Sequence, residues 1–324
     1  MSSLRSFLLE EAWAGTPTLG ARAAARFGIS RQAVHAHITR LIEEGLIEGS
    51  GRTRARIYRL PFLADHRIEV PLSEPFDEES IWLSHFARPL ESLHANVLEI
   101  SRFGLTECLR NAADHSGAAT ASLRVRRNAL AVEISVTDRG EGLFRRLDAH
   151  DPLRAALDLV KGGKSSDPVA RAGRGIGSVA RVVDTFSVWS GHHRLRREND
   201  SWSLTELEGR VPGTTVAMRI HVSSRRTLGD SLHRPRIEVP VRLALRGELS
   251  PTSRAAARRL LERLETAGEL LLDFTGIPAV GPAFADEIFR VFRRENPGVS
   301  LARVGASAAV ERALRAAEGS GARS

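Results

Sequence analysis

Glu107, Asn111 and Asp114 stand at i, i+4 and i+7 in the stretch LTECLRNAADHS, residues 105–116. Side chains three and four apart on a helix lie one above the other, so this spacing projects a carboxylate and an amide oxygen together. Such a pair suits one chemistry: the amide oxygen coordinates a hard cation such as Mg2+, and the carboxylate orients a water beside it. Leu105, Cys108, Leu109 and Ala112 form an apolar stripe on the same helix. Taken alone, the pattern also describes an amphipathic helix with a solvated polar face.

Two glycine-rich stretches and a late Gly-Thr accompany it. A strand-like run, residues 130–137, ends in Asp138-Arg139-Gly140-Glu141-Gly142. A carboxylate at a strand end, beside glycines that let the backbone approach a flat base, can accept a hydrogen bond from an adenine amino group; a plain Asp-initiated turn reads the same way. Gly173-Arg174-Gly175-Ile176-Gly177 leads into an apolar run, residues 179–186, and the glycines are expected to open that helix and offer backbone N–H groups to an anion. Arg174 between them could reach a phosphate or point to water. Gly213-Thr214-Thr215 precedes a further strand.

In this order the four motifs resemble the GHKL ATPases, the family of gyrase-type topoisomerases, dimeric chaperones, sensor histidine kinases and mismatch-repair ATPases. The resemblance implies an α/β-sandwich of the Bergerat type that binds ATP with Mg2+. It implies Glu107 as general base, Asn111 as the metal-holding residue, and Asp114 beside them. Asp138, Gly140 and Gly142 would form the adenine site, supported by Thr214 and Thr215. Gly173, Arg174, Gly175, Ile176 and Gly177 would hold phosphate beneath a mobile lid carrying Lys161 and Lys164, although a solvated loop would look similar.

Composition bounds the rest. The chain has 324 residues, enough for two or three domains, with 42% hydrophobic and 27% charged residues, as in an ordinary globular protein. The net charge of +8 is almost wholly arginine, since Lys161 and Lys164 are the only lysines. Arginine favours planar contact with phosphate, but genome composition can produce the same bias. The single cysteine, Cys108, excludes an intrachain disulfide and a cysteine-rich zinc site. No run reaches the ~18 apolar residues needed to span a membrane, and Glu10 and Glu11 interrupt what would be a signal peptide. A cytoplasmic location is expected, with no membrane partner.

The elements that must position these residues divide the chain at 1–62, 78–222 and 236–320, joined by linkers at 63–77 and 223–235. The first segment reads as three helices and a β-hairpin, with Ser30 capping the third helix and Val34, Ile38, Leu41 and Ile42 as its stripe. It resembles a winged helix-turn-helix, which implies DNA as a partner. Arg31, Gln32 and His35 on the third helix would face base edges, and Arg52, Arg54 and Arg56 on the wing would face phosphates or the minor groove; a protein-binding winged helix is the alternative. Residues 61–79, with three prolines, read as a linker or a short β-arm. Residues 192–197 read as a charged hairpin tip.

The last segment alternates strands and helices, a small α/β sheet, and LLLDFTGIPAVGPAFADEIFRVF resembles STAS-like domains, especially the STAS-like domain of unknown function fused behind GHKL ATPases. Phosphorylated members of that group carry a serine where this chain has Val280-Gly281-Pro282-Ala283, so a protein-docking role is expected instead. The overall fold class is therefore α+β and multidomain. The function expected is an ATP-dependent regulator that hydrolyses ATP slowly and switches a DNA-binding domain. The alternatives are an anti-sigma-type serine kinase acting on a separate partner, and a nucleotide-binding scaffold without turnover. Family members often dimerise, so a homodimer is also among the expectations.

Overall fold

A computed structural model describes residues 3–51, 56–72, 77–147, 151–161, 168–199, 201–229, 236–245, 248–265 and 267–320, without the side chains of 152, 153, 168–174 and 320. Three helices open the chain: α1 (Leu4–Trp13), α2 (Leu19–Phe27) and α3 (Arg31–Glu43). Ser30 caps α3 by accepting from the Ala33 N–H at 3.1 Å, and Gly28 ends α2 at φ 65°. Leu8, Leu19, Ala23, Val34, Ile38 and Ile47 close a small core between them. A short hairpin follows, β1 (Glu48–Ser50) with β2 (Ile57–Arg59), starting just after the apolar Leu46-Ile47 pair. Ile47 is drawn into the helical core instead.

The central domain is a five-stranded antiparallel sheet, in the order β3-β4-β5-β7-β6. Its strands are β3 (Ala64–Pro71), β4 (Thr120–Arg127), β5 (Ala131–Asp138), β6 (Thr185–Glu198) and β7 (Ser201–His221). Residues 64–71, expected in a linker, form the edge strand: Ala64 to Pro71 pair in register with Arg127 to Thr120. Proline is tolerated there because an edge strand has one side free of the ladder. The arginines expected at a loop tip, residues 192–197, instead lie within β6, which runs past a register shift at Ser190 and Gly191 as a long two-stranded arm with β7.

All the helices of this domain cover one face of the sheet. They are α4 (Glu78–His85), α5 (Ala87–Leu90), α6 (Ala95–His115), α7 (Leu143–Leu147), α8 (Pro152–Lys161) and α9 (Pro168–Val182). Their apolar stripes meet alternate strand residues such as Leu123, Ile134, Val136, Val188 and Met218. Each large side chain buried this way contributes roughly 1.5–3 kcal/mol. The opposite face carries the polar set of the same alternation.

The C-terminal domain has a three-stranded parallel sheet in the order β10-β9-β8, from β8 (Arg236–Pro240), β9 (Glu269–Asp273) and β10 (Ser300–Val304). The connecting helices are α10 (Val241–Ala244), α11 (Arg254–Leu261), α12 (Pro282–Asp286, continued by a π-helical stretch to Phe292) and α13 (Ala308–Ser320). The arm of β6 reaches this domain through a buried ion pair. Arg197 Nε donates to Glu238 Oε2 at 2.9 Å and its second terminal nitrogen to Oε1 at 3.1 Å. The same guanidinium donates to the carbonyls of Ala180 and Val183, at the end of α9.

Candidate functional site

Antiparallel pairing brings two of the separated motifs together. Asp138, the last residue of β5, lies opposite Thr214 on β7 and Ala121 on β4. Asp138 Oδ1 accepts the N–H of Gly140 at 2.9 Å and of Thr214 at 3.3 Å, which leaves Oδ2 as the remaining acceptor of a buried carboxylate. Burial raises its carboxyl above the usual range, against the two N–H bonds that lower it. Thr214 Oγ1 in turn accepts the Leu143 N–H at 2.9 Å and so fixes the start of α7.

The glycines permit this closeness. A Cβ on Gly140 would fall 1.9 Å from the carbonyl oxygen of Ser116, where the turn packs on the end of α6. Gly142 takes φ +92°, a conformation that side chains disfavour.

A recess of roughly 500 Å3, counted to its open mouth, lies between α6, α7, α9 and the sheet. Its walls are apolar, with Ala112, Val136, Leu143, Leu147, Ile176 and Val216. Its polar groups are few: Asp138 and Thr214 at the sheet, Asn111, His115 and Ser116 on α6, and Arg146 on α7. A slot with apolar faces and one acceptor at its base fits a flat heterocycle with an exocyclic amino group. Cys108 lines the recess as a buried apolar group, its thiol pushed up by burial and by Glu107.

Asn111 lines this recess, whereas Glu107, one turn earlier on α6, is outside its lining. Asn111 Nδ2 donates to the Glu107 carbonyl at 2.6 Å, leaving the amide oxygen to meet a cation. Among the described residues no group of three or more His, Cys, Asp or Glu could hold a metal. Arg110 holds Glu107 in place: it donates to Glu107 Oε1 at 2.7 Å and also to Glu78 on α4. A Cβ on Gly175 would lie 2.7 Å from both Asn111 Nδ2 and Glu107 Oε2, so glycine is what lets α9 cross α6 at this pair.

Several expected residues lie elsewhere. Asp114 is exposed and does not line the recess; one residue further on, His115 does. The i+7 spacing carries Asp114 to the Glu107 edge of the helix, whereas His115 follows Asn111 at i+4. Thr215 faces the other side of the sheet, with its hydroxyl 3.1 Å from that of Thr137. Lys161 donates to the Arg259 carbonyl of the C-terminal domain at 3.0 Å, and burial lowers its pKa. Lys164 lies outside the described residues.

The glycine run does not open a helix. Helix α9 starts at Pro168, so Gly173, Arg174, Gly175, Ile176 and Gly177 are inside it. Past the first four residues of a helix the N–H groups face intrahelical carbonyls. Of this run, Ile176 lines the recess. His115 and Arg146 were missed from the sequence; the i+4 step from Asn111 would have found the histidine, and no sequence pattern marks the arginine.

On the N-terminal domain, Arg31, Gln32 and His35 are exposed, opposite the buried Val34, Ile38 and Leu41. Arg56 does not extend along the wing; it folds over the Tyr58 ring, with 5.4 Å to the centroid, and across Gly49. Arg52 and Arg54 lie outside the described residues.

Comparison with known proteins recognises both ends of the chain. Residues 21–48 match the winged helix-turn-helix DNA-binding family. Residues 256–309 match the STAS-like domain of unknown function. No curated protein matches the chain. Both matches lie outside the recess, whose chemistry rests on its own geometry. No helix among the described residues is long and apolar enough to cross a membrane.

Proposed function

We propose that this chain is a DNA-binding regulator whose central, GHKL-like domain takes Mg-ATP and uses it as a switch. The observation that carries the nucleotide reading is Asp138: a buried carboxylate with one oxygen already satisfied by two backbone N–H groups, at the base of an apolar slot. Its second oxygen accepts from an amino group and repels a carbonyl, so adenine is favoured over guanine. Asn111 supplies the amide oxygen for Mg2+, which when bound withdraws charge from phosphate oxygens. Glu107, held by Arg110, orients the attacking water and takes its proton. Exposed Arg31, Gln32 and His35 on α3 supply the DNA-reading face.

The coupling runs through α9. Its Gly175 rests on Glu107 and Asn111, and its last carbonyls are held by Arg197, which clamps Glu238 of the STAS-like domain. A change at the nucleotide pair therefore has a packed route to the C-terminal domain. Two measurements test the reading. With γ-labelled ATP, release of free phosphate marks hydrolysis, and label on a second protein would replace it with phosphotransfer. DNA affinity measured with and without Mg-ATP should differ, and equal affinities would reject the switch.

A further inference from the structure

The face of the central sheet opposite that domain's own helices is ordered in rows set by the strand register. One row reads Arg67, Arg124, Ser135, Ala217, Ser187 across all five strands. Arg67 and Arg124 are direct cross-strand partners, a like-charge pairing that costs stability and that the fold does not require. Arg124 is offset by Asp65 on the neighbouring strand, at 2.6 and 2.8 Å. The hydrogen bond that exposed Arg67 makes among the described residues goes to the Ser122 hydroxyl, at 3.1 Å. In the adjacent row Arg126 and Arg219 flank a single carboxylate, Glu133, which serves both. Past the end of β5, Arg139 is exposed on the same side.

These rows floor two shallow recesses of roughly 630 and 700 Å3, which share Arg124 and Ser135 and so form one trough. Their linings together hold seven arginines against two glutamates. At the β6 side Arg194 lies over the Trp189 ring, 4.9 Å from its centroid, and its buried Nε has no hydrogen-bond partner among the described residues. Ser122, Ser135, Thr137 and Ala217 also line the trough, with short side chains. The trough also runs to the winged helix, because Arg219 lies 4.9 Å from the centroid of Trp13 at the end of α1, and Arg126 lies 4.4 Å from that of Phe62.

We infer that this sheet face is a second DNA-contacting surface, which takes the phosphates of duplex flanking the site held by the winged helix. Five strands span roughly 19 Å, enough for several successive phosphates of one strand. Guanidinium groups spread over a flat sheet face grip backbone phosphates, contacts that carry no sequence information directly. Contiguity with the winged helix selects duplex over a free acidic protein. The inference rests on the DNA-binding reading of that domain.

The test uses the full-length protein and a labelled random-sequence duplex long enough to reach both surfaces, titrated at several salt concentrations. Each phosphate contact contributes about 0.9 to the slope of log K against log salt. The double variant Arg67→Gln/Arg139→Gln should lower that slope by about 2 and weaken binding at low salt, with an unfolding midpoint no lower than that of the wild type. The variant Arg31→Ala/Gln32→Ala should weaken binding to the same duplex and leave the sheet-face contribution in place. An unchanged slope in the sheet variant, with the α3 variant impaired, overturns the second surface alone. Failure of the wild-type protein to bind any duplex overturns both readings. A sheet variant that loses affinity for an acidic protein and not for duplex also overturns this one.

Discussion

Removing the Glu238 carboxylate should loosen the joint between the central and C-terminal domains more than any surface change. Both side chains of the Arg197–Glu238 pair are 4% exposed, and two parallel hydrogen bonds join them. Glu238→Ala leaves a guanidinium in the interior that keeps its bonds to the Ala180 and Val183 carbonyls but loses its paired carboxylate, with Arg181 as a like charge beside it. Breaking one side of a buried pair costs about 3–5 kcal/mol, because the stranded charge keeps its desolvation penalty. Replacing both, as in Arg197→Met/Glu238→Leu, should recover most of that loss, since an apolar pair of similar volume carries no such penalty. Trp202 is the cross-strand partner of Arg197 and is buried, so its fluorescence reports on the joint during urea unfolding. A loss below about 1 kcal/mol for Glu238→Ala, the range of an exposed pair, would refute this account of the joint.

Other expectations follow from the recess. Glu107→Gln should abolish turnover while ATP still binds, as measured by phosphate release against calorimetric titration; retained turnover would place the base elsewhere. A Cβ at Gly175 would displace both Glu107 and Asn111, so Gly175→Ala should slow turnover on the order of 100-fold with the fold intact by circular dichroism. Gly140→Ala meets a backbone oxygen that cannot yield, so it should cost about 3 kcal/mol or more in urea unfolding. Burial raises the Asp138 carboxyl, so in the window from the ordinary carboxylate range up to that raised value the native state holds more protons than the unfolded one. Stability contributed by this group is full below the window and falls as pH rises through it. Asp138→Asn should remove that slope.

What the sequence revealed depended on how local each signal was. The cap at Ser30, the stripe on α3 and the alternation of β4 and β5 are set by neighbours a few residues away, and the structure follows them. The Asp138–Thr214 pairing joins residues 76 apart, and order of motifs alone could imply it. Signals decided by distant partners were left open or misread. Residues 64–71 read as a linker or a short β-arm, and the ladder with β4 decides for the strand. The glycines of α9 look like a turn because glycine permits one, yet packing on α6 holds them helical. Lys161 looked like a phosphate ligand, and a carbonyl of another domain takes its ammonium. Alternation placed Thr214 and Thr215 on opposite faces, so one of the two alone meets the recess.

The most direct test is calorimetric titration of the full chain and of Asp138→Asn with ATP and GTP in the presence of Mg2+. The asparagine can keep both backbone bonds at Oδ1 while turning the second oxygen into a donor. The wild-type chain should bind ATP and discriminate against GTP, and the variant should stay folded, lose ATP affinity and lose the discrimination. Equal binding of both nucleotides, or ATP affinity indifferent to the change, would contradict a carboxylate-read purine in this recess.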